Sequence, residues 1–280
     1  MAPSAAILRP LRKLSEGTVQ APHTRIKSNL HGRRPDEVVK DECKRFRVLV
    51  MGRRNAGKTT LLKKMTQSSD GRVEVRDEYG NLVDHGRLLE PSVERGQSRI
   101  DWEITFPSNP GYVFHDSRGM EAGSTEEIDK LNDFMERRSK RRSLEEQLHV
   151  IWYELDGIRS PLALMVVQVP VVAIFTKFEA RVTKALGSLR DNGVGIREAR
   201  RRAPEKAQSD FKQDVLDERE ARMKHKPSAH VFLQEMHLPK STCGELTKET
   251  HRVVDNKVVY ELFARIQRNS VEVSLAVSLV

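Results

Sequence analysis

Six short apolar runs are spaced along the chain, each five to seven residues long and closed by glycine, proline or a polar residue. They are Phe46–Met51, Ile100–Phe106, Gly111–Asp116, Leu148–Tyr153, Val171–Phe175 and Ala229–Leu233. Runs of this length, rich in Val, Ile and Phe, predict buried strands. Between them apolar residues recur at helical spacing. Thr60–Met65 follows the first run, and Ile128, Leu131, Phe134 and Met135 line one face after a Ser124-x-x-Glu127 capping box. Val182, Leu186 and Leu189 stripe a helix that Asn192-Gly193 ends. From Ile196 to Glu220 the chain is charged and helical, with Ala207, Phe211 and Val215 on one face and a break expected at Pro204. Asn256 caps a last helix that turns Val258, Val259, Leu262, Phe263 and Ile266 inward. Strands alternating with helices predict an α/β fold. The expected form is a three-layer α/β/α sandwich with a mainly parallel, six-stranded sheet and one antiparallel strand near Ile100–Phe106. A ligand is expected at the C-terminal ends of the strands.

The first strand runs directly into Gly52-Arg53-Arg54-Asn55-Ala56-Gly57-Lys58-Thr59-Thr60, which fits the phosphate-loop pattern G-x-x-x-x-G-K-[ST]. Strand, glycine loop and helix is the context that gives this pattern meaning. Glycines let the backbone wrap close to phosphate, and the N–H groups of the loop and helix start point at it. Lys58 is expected on the β- and γ-phosphates and the Thr59 hydroxyl on Mg²⁺. The strand Gly111–Asp116 ends in Asp116-Ser117-Arg118-Gly119, a D-x-x-G sequence. An acid there can hold Mg²⁺ through water, and the Gly119 N–H can approach the γ-phosphate. Neither motif by itself separates ATP from GTP, or hydrolysis from binding.

The strand at Val171 is followed by Thr176-Lys177-Phe178-Glu179, which resembles the [N/T]-K-x-D sequence that reads guanine in GTPases. The carboxylate is Glu179, one methylene longer than the usual Asp, so relaxed base preference is expected. The three motifs occur in one order, each at a strand end, and together resemble the Ras-like P-loop GTPases. The Gly52–Thr60 string, with Asn55, is closer to the Era/TrmE group. The segments His115–Ser124, Val169–Ala180 and Ala199–Ala207 resemble G domain-containing proteins of basidiomycete fungi over about 45–268. The resemblance implies GTP and GDP binding with Mg²⁺, and a molecular switch with a protein effector or activating protein. The site it implies comprises Gly52, Asn55, Ala56, Gly57, Lys58, Thr59, Thr60, Asp116, Gly119, Thr176, Lys177 and Glu179, with Lys58 and Asn55 catalytic. In the Era/TrmE group the Asn55 position helps to hold K⁺ in place of an arginine finger; a loop-stabilising contact is the alternative reading of Asn55.

Several positions depart from this pattern. Met120 follows D-x-x-G where Ras-like enzymes place the glutamine that orients water, so slow hydrolysis is expected. Arg54 and Arg118 read either as internal charge stabilisers or as solvent-facing side chains. The switch-one threonine that binds Mg²⁺ has no counterpart, and Ser98, before the strand at Ile100, is the candidate, with Ser92 second. The loop Gln234–His237 lacks the usual S-A-K support for guanine, and the connection 154–170 is short for the family. A non-hydrolysing GTP-binding module and an ATP-using P-loop NTPase stay open as alternatives.

Composition adds location and partners. The chain has 280 residues, 38% hydrophobic and 32% charged, with a formal net charge of +9. Residues 1–35 hold seven basic side chains against Glu16 alone, which predicts a basic, disordered arm over 1–44. The same composition also suits a mitochondrial presequence. Two cysteines, Cys43 and Cys243, offer neither zinc spacing nor a disulfide framework, so a reducing, cytoplasmic location is expected. No apolar stretch is long enough for a transmembrane helix. The basic runs Arg137–Arg142 and Arg200–Arg202 read as solvated helix faces or as an RNA or anionic-membrane surface. The expected organisation is thus the arm, a G domain over 45–268 with a helical insertion at about 181–226, and a tail over 269–280.

Overall fold

The computed structural model describes residues 43–52, 56–68, 72–83, 100–117, 125–155, 169–221, 223 and 225–278. All of them lie within one unit, Arg34–Val280. The strands are β1 (Phe46–Gly52), β2 (Glu74–Arg76), β3 (Leu82–Val83), β4 (Glu103–Phe106), β5 (Asn109–Asp116), β6 (Val150–Leu155), β7 (Val171–Phe175) and β8 (Ala229–Phe232). They form one sheet in the order β3-β2-β4-β5-β1-β6-β7-β8. The five from β5 to β8 are parallel, and β4, β2 and β3 extend the sheet antiparallel. The chain is therefore α/β with a mostly parallel sheet. Eight strands, not six, are present among the described residues. The two extra ones, of three and two residues, have no apolar run to announce them. Their hairpin is held by its turn, where the Asp77 carboxylate accepts from the Tyr79 N–H at 2.9 Å and the Asn81 N–H at 2.8 Å.

The helices are α1 (Lys58–Met65), α2 (Thr125–Ser139), α3 (Glu179–Asp191), α4 (Ile196–Phe211), α5 (Asp217–Ala221), α6 (Gly244–Val253) and α7 (Lys257–Ser278). Strand alternation sends Val48, Val50, Phe114, Val150, Trp152, Val172 and Ile174 to one face, against apolar residues of α1, α6 and α7. Leu49, Met51, Ile151 and Tyr153 point the other way, onto α2. Ala173 and Phe175 lie on that second face under α3 and α4. Both faces of the central strands are thus covered, which is why they read as continuous apolar runs rather than alternating ones. Trp152 is fully buried, and its indole N–H donates to Thr250 Oγ1 of α6 at 3.1 Å.

Two expectations about the helices are corrected. α4 runs through Pro204 without the expected break. Ala199, Ala203, Ala207 and Phe211 bury one face of α4, and this packing outweighs the lost hydrogen bond. The irregularity falls later, as a π-helical turn over Lys212–Leu216. The expected tail from 269 is instead continuous with α7, which runs through Ser278. Asn256 nucleates that helix as anticipated, its Oδ1 accepting from the Val258 and Val259 N–H groups at 2.9 and 3.2 Å. Propagation then adds one hydrogen bond per residue at little cost. Among the described residues no helix is long and apolar enough to cross a membrane. The predicted basic arm, apart from Cys43 and Lys44, lies outside the described residues.

Candidate functional site

The chain leaves β1 for strands on one side of it and then crosses to β6 on the other. That reversal opens a crevice at the C-terminal ends of β1, β5 and β6, where open α/β sheets place ligands. Gly52 ends β1 there with φ 146°, beside β6; a Cβ on it would lie 2.7 Å from the Glu154 carbonyl oxygen. Arg53, Arg54 and Asn55 lie outside the described residues. The loop resumes at buried Ala56 and at Gly57, whose φ of 119° is in the region that favours glycine. Gly57 is the N-cap of α1, so the helix begins, with its positive dipole end, at the crevice. The Lys58 ammonium folds back over the loop and donates to the Gly52 carbonyl at 2.6 Å. Thr59 is half-buried and Thr60 exposed.

Other strand ends bring the remaining candidates to this edge. Asp116 is 3% exposed at the end of β5, opposite Val50 in register and therefore on the face that α1 covers. The Thr176 hydroxyl, after β7, donates to the Ala56 carbonyl at 2.8 Å, which ties that loop to the one before α1. Lys177 follows with φ 55°, a left-handed backbone rare outside glycine and concentrated at functional sites. Glu179 opens α3, and its Oε2 accepts from the Glu235 N–H at 3.1 Å, linking the loops after β7 and β8. Beyond β8 the chain lines a cavity of about 410 Å³ with Phe232, Gln234, Met236, Lys240 and Glu245 among its walls. The structure thus gathers Gly52, Ala56, Gly57, Lys58, Thr59, Asp116, Thr176, Lys177 and Glu179 at one edge of the sheet. Gly119, Met120, Arg118 and Ser98, like Asn55, lie outside the described residues.

The donors present fit a hard divalent cation. Mg²⁺ takes one or two protein oxygens and completes its shell with water and phosphate, and Asp116 and Thr59 each carry an oxygen of that class. Among the described residues no group of three or more His, Cys, Asp and Glu side chains forms a metal cage.

Sequence reasoning assigned no role to Glu154, which the fold places in the same crevice. It lies on β6 opposite Gly52 and is 1% exposed. In the sequence it reads only as the polar residue that closes the apolar run Leu148–Tyr153, whereas the strand extends past it to Leu155. Comparison with known proteins returns no matching family model and no matching curated sequence.

Proposed function

We propose that this chain is a P-loop protein of the Ras-like G-domain kind that binds a guanine nucleotide, hydrolyses it slowly and acts as a switch. One observation carries the reading: Gly57 and Lys58 open a helix at the topological switch point, with Asp116 and the Thr176–Glu179 loop at the same edge. In this reading the α1 N-terminus and Lys58 take the β- and γ-phosphates. Mg²⁺, held by Thr59 and Asp116, would neutralise phosphate charge. Lys177 and Glu179 take the base, and Asn55 is the position for K⁺. Met120 in place of a water-orienting glutamine makes turnover dependent on an activating partner. A cytoplasmic location and a protein effector belong to the same proposal.

A second reading, base-tolerant binding that includes ATP, is favoured by one contact. The Glu179 Oε2 is already engaged by the Glu235 N–H, which leaves less of the carboxylate for guanine.

Replacing Lys58 with alanine is expected to weaken GDP and GTP binding by at least about 100-fold, the effect of removing a charge-assisted hydrogen bond of roughly 3 kcal/mol. Titration with labelled GTP, GDP and ATP in Mg²⁺ checks this and ranks the bases. Unchanged affinity in Lys58→Ala overturns the assignment.

A further inference from the structure

The phosphate-side edge holds a second buried acid. Glu154 and Asp116 lie on the two strands that flank β1, on the face covered by α1. The intervening strand, with a two-residue stagger in register, sets their backbones about 12 Å apart. Neither Glu154 oxygen has a hydrogen-bond partner among the described residues. A carboxyl in that condition costs free energy that an apolar residue at the same place would not. Four elements bring titratable groups toward it: Lys58 from α1, Asp116 from β5, Lys177 from the loop after β7, and Cys243 at the start of α6. Lys58 is meanwhile bound to the carbonyl of Gly52, the residue that pairs with Glu154 across the ladder. The amine that phosphate needs and the unpartnered carboxyl therefore converge on one residue of β1.

We propose that Glu154 is a positioning residue of the phosphate cradle, which in its ionised form competes with incoming phosphate for the Lys58 amine. The proposal rests on the assignment of this loop as a phosphate site. Phosphate and ionised Glu154 are like charges on one lysine, so occupancy by phosphate favours the neutral carboxyl, with the proton drawn from solvent. Burial, with the Asp116 charge, raises the Glu154 carboxyl to about 8 against the pull of Lys58 and Lys177. Below that pH the acid is already neutral and affinity is insensitive to it. Above it, each binding event takes up a proton, and affinity falls toward tenfold per pH unit.

The test is a GDP titration in Mg²⁺ from pH 6.5 to 9 on the native chain, Glu154→Gln and Glu154→Asp. The glutamine variant cancels titration of the ligand and of every other group. It is expected to match the native chain at pH 6.5 and to bind about tenfold more tightly than it at pH 9. Glu154→Asp, which keeps the acid, is expected to keep the pH dependence. On the native chain alone, calorimetry at pH 8.5 in two buffers of different ionisation heat should show uptake of more than about half a proton. Parallel pH profiles for native and Glu154→Gln, or no proton uptake, overturn the role of Glu154 while leaving nucleotide binding intact. No GDP binding by any form at any pH overturns the phosphate site itself.

Discussion

Replacing Gly52 with alanine is expected to cost about 3–5 kcal/mol of stability, from backbone strain and overpacking together. The residue has φ 146°, and the new Cβ would sit 2.7 Å from the Glu154 carbonyl oxygen and 2.8 Å from its Cβ. Neither obstacle is the far end of a flexible side chain. Both belong to β6, whose register with β1 runs from Val48 to Gly52 and is buried on both faces. Relief therefore requires the two central strands to part just where the glycine loop begins. A melting temperature about 10 °C below the native value is expected for a unit of this size. Gly187, in the middle of α3, is the control: a Cβ there meets nothing within 4 Å. Its alanine variant should gain roughly 0.5–1 kcal/mol from helix propensity. Thermal melts of the two variants check the argument, which fails if they move together.

Arg47→Ala is expected to destabilise by about 3–5 kcal/mol, because it removes a buried side chain and leaves two buried acceptors unpaired at roughly 1–3 kcal/mol each. Arg47 is 2% exposed near the start of β1. Its Nη1 donates to Glu103 Oε1 at 2.7 Å and lies 2.9 Å from His115 Nε2, and its Nε donates to the Glu145 carbonyl at 3.2 Å. Guanidinium only donates, so His115 accepts at Nε2, and its Nδ1–H donates to the Ile100 carbonyl at 2.9 Å. His149 is fixed the same way: its Nδ1 accepts from the Arg47 N–H at 2.9 Å and its Nε2–H donates to the Leu144 carbonyl. Alanine at 47 would leave His115 Nε2 and the Glu145 carbonyl without their donor, while Glu103 would keep Arg45 at 3.1 Å and the residue-47 N–H would still donate to His149. Arg47→Met should recover part of the loss, because its side chain refills the volume that alanine leaves while Glu103 keeps its pairing with Arg45. Urea melts of the two variants decide; a loss below about 1 kcal/mol in Arg47→Ala would mean the Arg47–Glu103 pair is no more than a surface bridge.

The same cluster gives stability a pH sign. Protonating either histidine would set a donor against a donor. Burial, before the nearby Arg47 charge, holds His115 well below its usual range. Burial also brings His149 down to about 4. Their folded values are depressed, so their contribution is present above the ordinary value of 6.5 and is lost as pH falls toward 4. In the native chain the melting temperature should therefore drop steadily below pH 6.5.

This cluster also joins elements of the face opposite α1. It connects the first residue of β4, the residue before Asp116 and, through Arg138 at 3.8 Å from Glu103, the last turn of α2. No motif in the sequence announces it, because Arg47, Glu103, His115 and His149 are far apart along the chain.

Apolar runs and glycine-rich punctuation determined the central strands, the helical run Thr60–Met65, the Asn256 cap, and the order of the G-x-x-x-x-G-K-T, D-x-x-G and T-K-x-E segments. Those signals are local: periodicity, caps and turn chemistry act within a few residues. The short strands β2 and β3 escaped because their pairing comes from a neighbouring strand, not from their own residues. Pro204 misled because buried alanines on α4 outweigh a local penalty. Most of all, strand order is a tertiary outcome. Only the sheet, by laying β5 and β6 on either side of β1, brings Asp116, level with Val50, and Glu154, level with Gly52, to the same face near Lys58. A glutamate in an apolar strand is an anomaly in one dimension; its position beside Gly52 becomes visible when parallel pairing sets the register.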